Sequence, residues 1–72
     1  MAKKFGKWLA EQRERLAISP ERLGAEADVS GSTIRNAEAG ARLMPRTEKA
    51  IVFALRAVEE AQKAEDFSVK RR

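Results

Sequence analysis

Two short segments eleven residues apart begin in the same way, and together they leave this chain few ways to fold. Ile18-Ser19-Pro20 is followed by Leu23, and Val29-Ser30-Gly31 is followed by Ile34. A serine just ahead of a helix accepts a hydrogen bond from one of the backbone N–H groups that the first turn leaves unpaired. An apolar residue before that cap packs on another four residues beyond it and fixes the angle at which the chain enters. Pro20 suits the first helical position, where its missing N–H costs nothing. The pattern predicts one helix from Pro20 to Ala27 and a second that begins at Gly31 and closes at Gly40, a residue at ease in the left-handed conformation of a helix C-terminus. Only Asp28, Val29 and Ser30 lie between them. So short a connection makes the two helices cross steeply instead of folding back side by side.

The rest of the chain reads as helix as well. Phe5, Trp8, Leu9 and Leu16 fall at helical spacing, which predicts a first helix from Lys3 to Leu16 with one face turned inward. The segment ARLMPRT after Gly40 reads as a loop, and Arg46 to Glu65 as a final helix. Residues 66–72 read as a frayed basic tail, which sets the domain at 1–65. No strand pattern is present, so the expected class is all-α. At 72 residues, without cysteine or histidine, the chain has neither disulfides nor the usual zinc ligands to staple it. A compact helical bundle completed by a partner chain is the expected solution. No apolar run approaches the length of roughly 18 residues that spans a bilayer, and MAKKFGKWLAEQ meets charges too early for a signal-peptide core. The expected location is the cytoplasm.

Fifteen Lys and Arg against eleven Asp and Glu give a net charge of +4, which leans toward an anionic partner and serves equally as a solvated basic surface. The third helix supplies the sharper signal. It has core work for Ile34 and Ala37 only, with Val29 ahead of it, so Gly31, Ser32, Thr33, Arg35 and Asn36 have no obvious packing duty. A helix laid into the DNA major groove needs small residues at its start for close approach and hydrogen-bonding side chains within reach of base edges. Arginine pairs bidentately with guanine, asparagine with adenine, and serine with either. The competing reading is a solvated helix face.

Ile18, Ser19, Leu23, Val29, Ser30, Thr33, Ile34, Glu38 and Gly40, as they stand in ISPERLGAEADVSGSTIRNAEAG, resemble the helix-turn-helix domains of the phage Cro and cI repressor family. With Arg13 upstream and Pro45 and Arg46 downstream, the resemblance runs from Phe5 to Leu55. It implies a small lambda repressor-like domain of four helices, or five where the last segment breaks in two as it does in the family. It implies a structural ion pair between Arg13 and Glu38. It implies base reading by Ser32 and Asn36, with Gly31 and Arg35 beside them, and phosphate contacts from Ser19, Ser30, Thr33, Arg42 and Arg46. The function implied is a sequence-specific regulator, a repressor of a phage or bacterial operon, acting on double-stranded operator DNA without cofactor or metal. Three positions depart from the family: Pro20 stands where a glutamine often meets phosphate, Asp28 where the turn usually has glycine, and Gly24 where alanine is usual.

The family follows its recognition helix with two shorter helices, whereas Thr47 to Glu65 offers one continuous helix of 19 residues. Ile51, Leu55 and Val58 form one stripe that can cover the first three helices, and Val52 and Phe53 lie outside it. Together they span more of the circumference than a small core buries, and Ile51, Val52, Phe53 and Leu55 are therefore expected at a homodimer face. A two-fold dimer would set its recognition helices roughly 34 Å apart and read a palindrome. Two other readings fit the same residues. One is the antitoxin of a toxin-antitoxin pair, with Val52, Phe53 and 66–72 holding the toxin. The other is a helical protein-interaction module that does not use DNA. Catalysis is not expected: histidine, cysteine and tyrosine are absent, no glycine-rich phosphate loop is present, and the carboxylates alternate with arginines as in helix-surface ion pairs.

Overall fold

The computed structural model describes residues 2–70, with side-chain surroundings for residues 4–65. Among these are four helices and no strand: α1 (Ala2–Arg15), α2 (Pro20–Ala27), α3 (Gly31–Glu38) and α4 (Pro45–Lys70). The chain is a small all-α domain with an extended C-terminal helix. Ser19 and Ser30 hold extended backbone ahead of α2 and α3, and each Oγ accepts from the third residue on: from the Arg22 N–H at 3.0 Å and the Thr33 N–H at 3.1 Å. The apolar residues flanking these caps turn inward. Leu23 and Ile34 are fully buried, Ile18 nearly so, and Val29 packs against the core.

The first three helices end alike. The N–H of a residue just past each helix reaches back five positions, and the N–H before it reaches back three. Ile18 and Ala17 donate to the carbonyls of Arg13 and Glu14, Val29 and Asp28 to Gly24 and Ala25, and Ala41 and Gly40 to Asn36 and Ala37. Closing this pair of bonds requires a left-handed residue, found at Ala17 (φ 57°), Asp28 (φ 61°) and Gly40 (φ 102°). Glycine takes this conformation freely and aspartate tolerates it, while alanine bears a cost of about 1–2 kcal/mol.

The helices approach closely where glycine replaces a side chain. A Cβ on Gly6 of α1 would collide with the Ala37 carbonyl oxygen of α3. A Cβ on Gly24 would lie 2.7 Å from the Val29 carbonyl oxygen, inside contact distance, so the tight α2–α3 turn depends on its absence. Leu9, Leu23, Ile34 and Ile51 fill the centre, and Leu16, Ala54, Leu55 and Val58 complete it.

Three features differ from the sequence reading. Ile51 and Leu55 are 0% and 5% exposed and belong to this chain's own core, not to a dimer face. They lie four residues apart on the side of α4 that covers the other helices, and only Val52 and Phe53 turn away from it. The last helix begins at Pro45 and continues through 66–70, the segment expected to fray, because no glycine or proline interrupts it after Pro45. Residues 71–72 of that tail lie outside the described residues. Trp8 is 39% exposed, its ring tilted on that of Phe5 at 5.8 Å, and Leu9 takes the inward place beside it.

At 26 residues α4 is about 39 Å long, close to the 45 Å long dimension of the molecule, whose other extents are 20 and 17 Å. Its middle is tied to the end of α1: Gln62 Nε2 donates to the Leu16 carbonyl at 2.7 Å, and Arg15 meets Glu59 at 3.0 Å. The Arg15 hydrogen bond, then its charge, with Lys63 adding to them, holds the Glu59 carboxyl below the ordinary glutamate range. No described helix is long and apolar enough to cross a membrane.

Ala17→Gly should stabilise the fold by about 1 kcal/mol, since it relieves the left-handed alanine. Gly24→Ala should destabilise it by about 1–3 kcal/mol through overpacking. Urea midpoints at unchanged slope measure both. Because the folded pKa of Glu59 lies below its unfolded value, its contribution to stability is present above the unfolded pKa and is lost as pH falls through the folded one. Carboxyl-detected NMR titration should show the Glu59 midpoint rising toward the ordinary glutamate value in Arg15→Ala.

Candidate nucleic-acid interface

α3 divides cleanly into two faces. Ile34 and Ala37 are buried, while Ser32, Arg35 and Asn36 are exposed. The spacing of three and four residues sets those three on one outward stripe. Gly31, half-buried, is the first residue of the helix. Ser30 and Thr33 stand at the same end, but their hydroxyls are engaged with each other at 3.0 Å, and Ser30 also caps the helix. Ser19 is occupied in the same way at the start of α2. Arg42, in the segment after α3, and Arg46, in the first turn of α4, are exposed.

Arg13 and Glu38 are brought together. The guanidinium grips the carboxylate with two bonds, Nε to Oε2 at 2.6 Å and Nη2 to Oε1 at 3.1 Å, and its Nη1 donates to the Ile18 carbonyl at 3.0 Å. The two side chains retain 17% and 14% of their exposure. The hydrogen bond that Arg13 donates to Glu38 outweighs partial burial and, with the carboxylate's charge, holds the Arg13 pKa above its usual value. One side chain therefore joins the end of α1, the approach to α2 and the end of α3. A bidentate, largely screened pair of this kind fixes geometry in a way a surface pair does not.

A second pair was not visible in the sequence. Arg35 Nη2 donates to Glu21 Oε2 across the α2–α3 crossing, with both side chains more than half exposed. The Glu21 carboxylate also lies over Gly31, where a Cβ would stand 3.0 Å from Oε2. The two residues are fourteen positions apart. The only hint in the sequence is their opposite charge, and the crossing angle decides the contact.

On the outer side of α4, Phe53 is 64% exposed, Val52 half-buried, and the neighbouring Met44 70% exposed. Pro45, Glu48, Lys49, Val52, Phe53 and Arg56 line an open groove of about 510 Å³ there. Among the described residues no cluster of three His, Cys, Asp or Glu is placed to hold a metal ion. Comparison with protein-family models, curated proteins and solved structures finds no match to this chain.

Arg13→Ala and Glu38→Ala should each cost about 3 kcal/mol, because each strands a charge with little access to water. The double variant should lose clearly less than the sum, with a coupling of about 1–3 kcal/mol. Thermal or urea denaturation of all four proteins completes the cycle, and additive losses under about 0.5 kcal/mol would reduce the pair to a surface contact.

Proposed function

We propose that the chain is a sequence-specific regulator that binds double-stranded DNA by laying α3 in the major groove. The observation that carries this reading is the division of α3. An eight-residue helix held by two buried residues, a capped start and an ion pair turns Ser32, Arg35 and Asn36 outward with no packing role. Side chains of these types supply the donors and acceptors that base edges match. In this reading Ser32 and Asn36 contact bases, beside Gly31 at the start of the helix. Arg42 and Arg46 contact phosphates, and Ser19, Ser30 and Thr33 do so through hydroxyls that a cap leaves able to donate or accept once more. The resemblance to Cro and cI repressors points the same way and gives the role of operon repressor.

The reading includes a homodimer built on the outer face of α4. Phe53 and Val52 are the apolar residues there, and the charges beside them complement each other. Glu48 and Arg56 stand four residues before and after Val52. When two copies of α4 run antiparallel about a two-fold axis at Val52, each Glu48 meets the other copy's Arg56. A dimer of this kind reads a palindrome.

Enrichment of bound sites from random duplex DNA, followed by affinity against salt, tests the proposal. Asn36→Ala should cost about 1–3 kcal/mol on the enriched site and relax the preference at particular base pairs. Arg46→Ala should weaken binding to enriched and scrambled duplexes alike and reduce the salt slope by about one unit per half-site. Failure to enrich any sequence would remove the reading. A reversal of the two phenotypes would exchange the roles of the two segments.

A further inference from the structure

Arg35 is not a free basic side chain. It reaches back from α3 to α2 and donates through Nη2 to Glu21, while its Nε and Nη1 take no other partner within the described chain. Glu21 stands in the first turn of α2, and its carboxylate lies against Gly31 at the start of α3, where a Cβ would crowd it at 3.0 Å. The two side chains are 55% and 58% exposed, so the pair contributes little to holding the fold. Its position gives it another use. It stands beside Ser32 and Asn36, at the face that the DNA reading assigns to base edges.

We propose that Glu21 positions Arg35 to read guanine, so that each half-site carries a G·C pair whose recognition depends on a residue of α2. The inference rests on the DNA reading above. A guanidinium has five N–H donors in a rigid plane, and anchoring one nitrogen to a carboxylate orients the rest. The donors left free match the O6 and N7 acceptors that guanine presents in the major groove. Ordering the long side chain before the encounter lowers the cost of ordering it on the DNA. The carboxylate adds discrimination of a second kind. It neutralises Arg35 and repels phosphate, so Arg35 is withheld from indiscriminate backbone contact and contributes where a guanine repays the approach.

This gives Glu21 a signature that a packing role lacks. From the site enriched by the wild-type chain, each base pair is exchanged in turn, and affinity is measured across a salt series for wild type, Glu21→Gln and Arg35→Ala. One G·C pair per half-site should lose its preference in Arg35→Ala. The same pair should lose about tenfold of its preference in Glu21→Gln, with the other positions unchanged. Binding of Glu21→Gln to a scrambled duplex should tighten, and its salt slope should steepen by about one unit per half-site as Arg35 is released to phosphate. Circular dichroism should find all three proteins equally folded. The inference is overturned if Glu21→Gln keeps every base preference and the salt slope of wild type, or if Arg35→Ala changes only the salt slope. A wild-type chain that enriches no sequence overturns the DNA reading itself, and that result is distinct from either of these.

Discussion

The grip of Arg13 on Glu38 and on the Ile18 carbonyl is the contact on which the arrangement of the first three helices depends. Burying Ile34 and Ala37 contributes on the order of 3 kcal/mol, less than the entropy of ordering eight residues at about 1 kcal/mol or more each. Such a helix has to be held from outside. Ser30 and the turn at Asp28 hold its start, and Arg13 holds its end through Glu38, its last helical residue. Gly6 lets α1 come near enough for the guanidinium to reach. The polar stripe of α3 thus owes its orientation to residues on the opposite side of the helix.

That dependence divides what was legible in the sequence from what was not. The starts of α2 and α3 could be read because a cap and its staple are local. The hydrogen bond, the apolar pair and the proline all lie within six residues, and no distant contact alters them. The turn at Asp28 and the end at Gly40 were legible for a similar reason, since both residue types accept a left-handed backbone. Ala17 adopts the same conformation and gave no sign, because alanine has no preference for it and the surrounding fold imposes it. In α4 helical spacing separated the stripe of Ile51, Leu55 and Val58 from Val52 and Phe53 outside it, and the structure buries the first three and exposes Phe53. How completely one chain covers that stripe was not legible, because it follows from how α4 sits on α2, and Ile51 and Leu55 have no surface left for a dimer face.

The candidate site shows the same division. Ser32, Arg35 and Asn36 stood out because they had nothing to bury. Arg13 and Glu38 came forward through a resemblance, and their two-bond geometry belongs to the folded chain. Glu21 was missed. It is an ordinary acidic residue in the first turn of a helix, where a carboxylate suits the macrodipole without further purpose. Only the crossing of α2 over α3 brings it to Arg35 and gives it a second role.

The three left-handed turns also bear on how the molecule reaches its fold. Each is closed by bonds among six consecutive residues, so each can form before the helices it joins have found their partners. Reversals made from neighbouring residues keep the loops that must close short, and the entropy lost in closing them small. Chains with such local topology fold in microseconds to milliseconds. The docking of α4 onto α2 is a longer closure than these turns, since it brings the core face of α4 onto a helix that precedes α3. Local reversals can therefore precede the longer-range packing that the core requires.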